Sequence, residues 1–338
     1  MQNSRVPEES QSVVEYNNRL GRLRVSITHA CQLRCTFCHR EGIESHWSPR
    51  HMPTEVFRAL LSAFGSMGGR EVNVTGGDPL VHPRAGLVLE ELQNFDGHRA
   101  LCTNGLLLRR IYDQLRPDLI DEVKISVHAS SDATGKKLLG AAWSSAVVVD
   151  GLKILSERRI PFTMNFSVTS ENVAELPEVL ERSRRIGANV LIIDLISTRW
   201  DTCQDSLNNV DFDAAVEKIA ALCGDPVTIR DRTGCVLTRF TTPEGNTWTI
   251  KDVRNGVLFT GMCNACRLRT SCGEGVFALR VDSEHTLRPC LLRRDLDQPM
   301  EARLDPVDAD DWQRALAEMI KKMMSPPYVL ESPEQIYE

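Results

Sequence analysis

Cys31-Gln-Leu-Arg-Cys35-Thr-Phe-Cys38 follows directly on the apolar run Leu23-Arg-Val-Ser-Ile-Thr28. Three thiolates at i, i+4 and i+7 can hold three corners of one cubane cluster. A [4Fe–4S] cube takes four ligands, so three cysteines leave one iron open to another molecule. The same spacing also places three cysteines on one face of a helix, where they would be small core residues. Gln32, Arg34 and Thr36 interleave with the cysteines and a strand signal stands immediately upstream, which is the pattern of a ligand loop.

The rest of the chain supplies a frame for that loop. From residue 21 onward, six apolar runs read as strands: Leu23–Thr28, Glu71–Thr75, Arg99–Thr103, Glu122–Val127, Phe162–Val168 and Val190–Ile196. Helix-like stretches separate them: Thr54–Met67, Arg84–Asn94, Leu106–Leu115, Ser145–Arg158 and Asn172–Ile186. Strands alternating with helices predict right-handed crossovers and a parallel sheet. The expected fold class is therefore α/β, a partial (β/α)6 barrel of the TIM type. Nearly every strand run ends in polar groups: Gly76-Gly77-Asp78, Thr103-Asn104, Ser126 and His128, with Asn165 inside the fifth run and Asp194 near the end of the sixth. Active sites of such barrels are built at the carboxyl ends of the strands.

Composition agrees with one large unit and an appendage. The chain has 338 residues, 42% of them hydrophobic and 25% charged, with a net charge of −6 that leaves no nucleic-acid footprint. No window approaches the roughly 18 apolar residues of a membrane span, and the first residues make no signal peptide. A cytoplasmic protein with no nucleic-acid or membrane partner is expected. Of eleven cysteines, seven fall in two ligand-like groups. Cys102, Cys203, Cys223 and Cys235 read as ordinary small residues. Residues 1–20 read as a flexible leader and 21–204 as the barrel. Residues 205–338 read as a smaller module, with a helix at Asp211–Leu222, short strands at Val227–Arg230, Val236–Phe240 and Thr247–Lys251, and a last helix at Asp308–Met324.

The CxxxCxxC motif with an aromatic, Phe37, before its last cysteine resembles the radical S-adenosylmethionine superfamily. In that family the methionine amine and carboxylate of S-adenosylmethionine chelate the open iron, and one electron from the cluster releases a 5′-deoxyadenosyl radical. Gly76-Gly77-Asp78-Pro79 resembles the superfamily's Gly-Gly-Glu motif, whose backbone receives the cofactor's amino group, with Asp78 in place of Glu. Thr103 and Ser126 match positions that contact the cofactor's methionine and ribose, and the resemblance adds Phe37 and Asn165 to the cofactor-binding set. Closer still, Leu23–Thr28, Cys38-His-Arg-Glu41-Gly42, Thr75–Leu80 and Thr103-Asn-Gly105 are similar to the GTP 3′,8-cyclases of molybdenum-cofactor biosynthesis. The segment Val127-His-Ala-Ser-Ser131 departs from that family.

Cys263-Asn-Ala-Cys266, followed by Cys272 and Cys290, is a metal signal in its own right, open to a structural zinc or to a second cluster. Cys263, Cys266 and Cys290, with Leu279-Arg280-Val-Asp and Leu287-Arg-Pro-Cys-Leu291, match the cyclases' auxiliary [4Fe–4S] motif. Cys272 is additional, and as a fourth thiolate it would close that site. Two clusters and S-adenosylmethionine are the expected cofactors, and an electron donor such as flavodoxin or ferredoxin the expected partner. Where the cyclases carry cations for the triphosphate, this chain has Glu71, Asn73, Leu191 and Ala278, so that Arg24 and Arg280 remain. Its last residues are Gln335–Glu338 in place of the cyclases' Gly-Gly tail. The resemblance therefore implies a two-cluster enzyme acting on a small substrate other than GTP, a specialised or nucleoside-derived metabolite, with Arg24, Arg280 and Asp194 facing it. Competing readings are a peptide-modifying or sugar-dehydrogenating relative and a non-catalytic iron–sulfur or zinc protein. The sequence assigns no catalytic side chain.

Overall fold

The computed structural model describes residues 8–43, 50–195, 210, 212–300 and 308–332. Cys203, the stretch Gln335–Glu338 and the expected boundary at 204 and 205 lie outside them. In chain order the elements are α1 (Glu8–Arg19), β1 (Arg22–Ser26), α2 (Thr54–Ser66), β2 (Glu71–Thr75), α3 (Ala85–Glu90), β3 (His98–Thr103), β4 (Glu122–Ser126), α4 (Asp132–Leu139) and α5 (Ser145–Glu157). Then come β5 (Phe162–Ser167), α6 (Leu176–Ile186), β6 (Asn189–Ile193), α7 (Phe212–Cys223), β7 (Val227–Arg230), β8 (Val236–Thr241) and β9 (Thr247–Lys251). The last are β10 (Val257–Phe259), β11 (Leu279–Val281), β12 (Thr286–Arg288), β13 (Gln298–Pro299), α8 (Ala309–Met323) and β14 (Val329–Glu331).

Strands β1 to β6 lie side by side in chain order, every neighbouring pair parallel, as the alternating pattern predicts. Residues alternate between two buried faces along them. Leu23, Val25, Val72, Val74, Leu101, Val123 and Ile125 join Phe57, Leu60, Phe64, Val88 and Leu89 of the helices in the core, while Arg24, Asn73, Lys124 and Asn165 line a cavity on the inner side. A barrel interior is ordinarily filled by branched apolar side chains. Polar ones here mark a binding space.

The C-terminal residues extend this sheet rather than standing apart from it. β11 pairs parallel with β1 and β9 parallel with β6, and β12–β13 and β8–β7 continue outward antiparallel at the two edges. The expected module at 205–338 thus contributes strands to both ends of the barrel sheet. The flexible leader is corrected over its described part, because residues 8–19 form α1. Tyr16 is fully buried there, donates its hydroxyl to the Arg22 carbonyl and accepts from the Leu279 amide at 3.1 Å, and α1 packs on α8. No helix among the described residues is long and apolar enough to cross a membrane.

Candidate functional site

The cysteine loop leaves β1 and is pinned from two sides. Arg34 and Thr36 donate their amides to the Leu139 and Leu138 carbonyls at the end of α4, both at 2.9 Å. On the other side the Gly76-Gly77 turn after β2 lies against Thr28, His29 and Ala30. Gly77 donates to the Thr28 carbonyl and Asp78 to the Ala30 carbonyl, each at 2.8 Å. The contact is too close for a side chain, since a Cβ would stand 2.5 Å from the Thr28 oxygen at Gly76 and 2.4 Å from the Ala30 oxygen at Gly77.

Asp78 braces this arrangement from below. It is 1% exposed and accepts from the Thr103 hydroxyl at 2.8 Å and from the Asn104 and Leu80 amides at 2.9 Å. Burial pushes its carboxyl up, against those three hydrogen bonds. Asp78 is not among the residues lining the cavity, so the expectation that it touches cofactor is replaced by a supporting position under the glycine turn. A short acidic side chain fits there because three donors saturate it in place.

All the other expected residues of the first site share one cavity of about 510 Å³. Cys31, Cys35, Cys38, Phe37, Gly76, Gly77, Thr103, Ser126, Asn165, Arg24, Arg280 and Asp194 line it together. Asn104, at the end of β3, directs its amide to the Cys31 sulfur at 3.7 Å and accepts from Gln32 at 2.8 Å. His128 packs edge-on against Phe37, ring centres 5.0 Å apart, and its Nδ1 accepts from the Ser167 amide at 3.0 Å. That bond leaves the ring hydrogen on Nε2. Burial brings the His128 pKa down to about 4, so the ring is neutral at physiological pH. Burial and the neighbouring Asp252 carboxylate raise Asp194 to about 6.

The cavity is more cationic than the sequence suggested. Beside Arg24 and Arg280 it is lined by Arg22, Arg34, Arg40, Lys124 and Lys251, and by Cys102, which had been given no role. Sequence reasoning missed them because motif matching examines only positions where a relative carries a charge. Their one signal is inward register, since Cys102 and Lys124 are direct partners across β3–β4. Arg24 and Arg280 are already paired. Both meet the buried Glu41 carboxylate, Arg24 Nε at 3.2 Å and Arg280 Nε at 3.3 Å, and Arg280 also meets Glu274. Burial alone would raise the Glu41 carboxyl, but Arg24, His39 and Arg280 together outweigh it and hold the group well below the usual range. Arg40 and Glu41 take φ values of 53° and 49°, the left-handed region that side-chain-bearing residues rarely adopt.

The donor set fits an iron–sulfur cluster at the first loop. The three thiols are half-buried and partly open to the cavity. Burial, with Asp78 and Cys38 adding to it, pushes the Cys31 thiol up to about 12, and burial and the two neighbouring thiols carry Cys35 well above its ordinary value. Crowded thiols resist becoming anions unless a cation is present to deprotonate them. No three His, Cys, Asp or Glu side chains among the described residues converge as ligands of a single ion would; a cube instead presents separate corners. Cys263, Cys266, Cys272 and Cys290 line a second, small cavity of about 20 Å³ with Phe259, Leu268 and Leu292, beside Arg269 and Arg293. Four soft thiols suit iron–sulfur or zinc.

Comparison with known proteins agrees with this geometry. The Radical SAM superfamily model matches residues 25–183. The chain is similar to the probable GTP 3′,8-cyclases of Archaeoglobus fulgidus, 26% identical over 91% of this chain and 96% of that one, and of Methanococcus maripaludis, 24% identical over 83% and 88%. The probable GTP 3′,8-cyclase of Methanocaldococcus jannaschii is 29% identical over 54% of this chain, and the match spans 61% of that relative's length. Among solved structures, Streptococcus suis SuiB bound to precursor peptide SuiA superposes with a TM-score of 0.63 at 13% identity, covering 93% of this chain and 74% of that one. The anSMEcpe structure with bound AdoMet and a Cp18Cys peptide gives 0.53 at 14% identity, over 86% and 79%. Residues 25–183 thus carry a Radical SAM domain, the mark of a superfamily of enzymes that work with S-adenosylmethionine and [4Fe–4S] clusters.

Proposed function

We propose that the protein reductively cleaves S-adenosylmethionine and abstracts hydrogen from a small substrate other than GTP held in the 510 Å³ cavity. The observation that carries this reading is the convergence of the cysteine loop, the Gly76-Gly77 turn and the polar ends of β3 to β6 on that one space. When bound, the cluster and S-adenosylmethionine supply the electron and the 5′-deoxyadenosyl radical. Cys31, Cys35 and Cys38 would hold the cluster. The Gly76-Gly77 backbone, Thr103, Ser126 and Asn165 would receive the cofactor, with Phe37 and the neutral ring of His128 as the apolar wall that keeps water from it. Arg24, Arg280 and Asp194 would face the substrate. GTP is disfavoured because the charges of Arg24 and Arg280 are already met by Glu41 and Glu274.

The second thiol group would hold an auxiliary [4Fe–4S] cluster with four protein ligands, supported by the presence of Cys272 on the same small cavity as its three partners. A zinc ion is the second reading here, since four soft thiols suit zinc as well as iron–sulfur. Likeness to peptide-bound structures supports a peptide as the second substrate class. An electron donor of the flavodoxin or ferredoxin kind would complete the system. The test is anaerobic reconstitution with iron and sulfide, addition of dithionite and S-adenosylmethionine, and assay for 5′-deoxyadenosine. Release supports the reading; a reconstituted, iron-loaded protein that releases none contradicts it.

A further inference from the structure

The parallel run of strands ends at β11 on one side and β9 on the other, and these two strands are not paired with each other. Phe277, two residues before β11, and Lys251, the last residue of β9, meet across that seam. The Lys251 ammonium lies 4.5 Å from the centre of the Phe277 ring and the Arg22 guanidinium 4.7 Å from it. All three residues line the main cavity. A ring attracts one cation through its quadrupole, but two cations on one ring repel each other and call for a counter-charge.

The protein supplies little of it. Glu71 receives Arg22 at 3.0 Å and also Lys124 at 2.8 Å, so one carboxylate serves two cations. Glu122 stands 3.8 Å from Lys124 and is shared with His98. The Arg22 Nε meets Glu71 as an ion pair without hydrogen-bond geometry, and Lys251 forms no ion pair among the described residues. Asp194, just past the end of β6 beside Lys251, accepts from the amides of Val253 and Leu195, and the Asp252 carboxylate next to it repels it. Further along β1 and β11 charge balances, Arg24 and Arg280 against Glu41 and Glu274.

We propose that the seam receives a single anionic group of the substrate, a carboxylate or one phosphate, which pairs with Lys251 and Arg22 while Phe277 fixes where the two cations stand. This rests on the reading of the cavity as the substrate site and narrows it to substrates bearing one anion. A triphosphate carries more charge than this patch can meet.

The test labels lysines of the full-length protein with an acylating reagent and follows Lys251 by mass spectrometry, with exposed Lys153 as internal reference. Inorganic phosphate and sodium glucuronate are compared with sodium chloride at matched ionic strength and with glucose. Several-fold slower labelling of Lys251, relative to Lys153, in phosphate or glucuronate is expected, and the arm that protects names the anion. Equal labelling in all four solutions overturns the proposal. A second measurement separates recognition from mere closure of the seam: phosphate or glucuronate should raise the melting temperature of the parent and not of Lys251→Met, and an equal rise in both overturns the subsite. Neither readout depends on cofactor cleavage, so a protein that protects Lys251 but releases no 5′-deoxyadenosine sinks the enzymatic reading alone.

Discussion

Arg24 and Arg280 are direct partners in the register of β1 against β11, and the Glu41 carboxylate lies between their guanidinium groups. Two like charges side by side in a buried wall are tolerable only with such a bridge. Arg280 is 5% exposed and so is Glu41, so water contributes little screening. The left-handed backbone at Arg40 and Glu41 is the cost of reaching this point directly from the cysteine loop, and it ties that loop to the barrel's first edge.

Glu41→Ala should therefore destabilise strongly. Breaking a buried ion pair by removing one partner leaves uncompensated charge and costs about 3–5 kcal/mol. Urea unfolding at neutral pH measures it. Glu41→Gln keeps the shape and loses the charge, so a loss of similar size there assigns the effect to electrostatics. A change within about 0.5 kcal/mol, typical of an exposed surface site, would contradict the account.

Stability should also fall in acid, with a sign fixed by the same group. Burial raises the Glu41 pKa, and Arg24, His39 and Arg280 together more than offset it, leaving it depressed in the folded state. Glu71 is depressed likewise, burial being outweighed by Lys124 and Arg22. A depressed carboxyl contributes stability that is present above its unfolded value of about 4.3 and lost as pH falls below it. Urea midpoints from pH 7 down to pH 3 should drop below pH ~4, and the drop should be shallower in Glu41→Gln. A parent whose midpoint is flat through that window would refute the pairing.

Cys272→Ala tests whether the second site is closed. With four thiolates satisfied, the parent should hold its metal without help from substrate, whereas the variant should show one exchangeable iron and an altered EPR signal when reduced. The comparison is made with Cys31, Cys35 and Cys38 also removed, so that only the second site is seen. Identical spectra would make Cys272 a bystander. Zinc, in place of iron, at one ion per chain would decide for the second reading.

GTP should bind weakly or not at all. Two arginines of the C-terminal residues outside the main cavity are engaged elsewhere: Arg269 pairs with Glu331 and Arg288 with Asp282 and Asp297. Equilibrium dialysis at low salt is the probe, and micromolar GTP binding would show that Lys124, Lys251, Arg22, Arg34 and Arg40 act together on a triphosphate.

Much of this architecture was legible because it rests on local signals. The six strands and the last helix followed from apolar runs bounded by Pro, Gly and Asp caps, as at Pro53 and at Asp308, whose side chain accepts from the Asp311 amide. Helix α1 was missed because Val13, Tyr16 and Leu20 are few apolar residues in a polar stretch, and only packing against β1 and α8 makes them a face. Helix α4 was missed because it is eight residues long with a glycine inside, although Ser131 marks its start. The charged floor was only half legible: Arg22 and Lys124 follow from the alternation of β1 and β4, whereas whether Lys251 joins them depends on β9 pairing with β6. Asp78 was misplaced for a related reason: motif position gives the neighbourhood of a carboxylate but not whether backbone donors have already saturated it.

The Cys31–Cys38 loop holds, on this account, the cluster that works on S-adenosylmethionine. Anaerobic reconstitution of the parent and of Cys31→Ala/Cys35→Ala/Cys38→Ala, with iron counted and 5′-deoxyadenosine assayed on the same samples, tests it most directly. The account predicts loss of about four irons per chain in the variant, retention of whatever the second thiol group binds, and complete loss of 5′-deoxyadenosine release. An unchanged iron count with cofactor cleavage intact would contradict it.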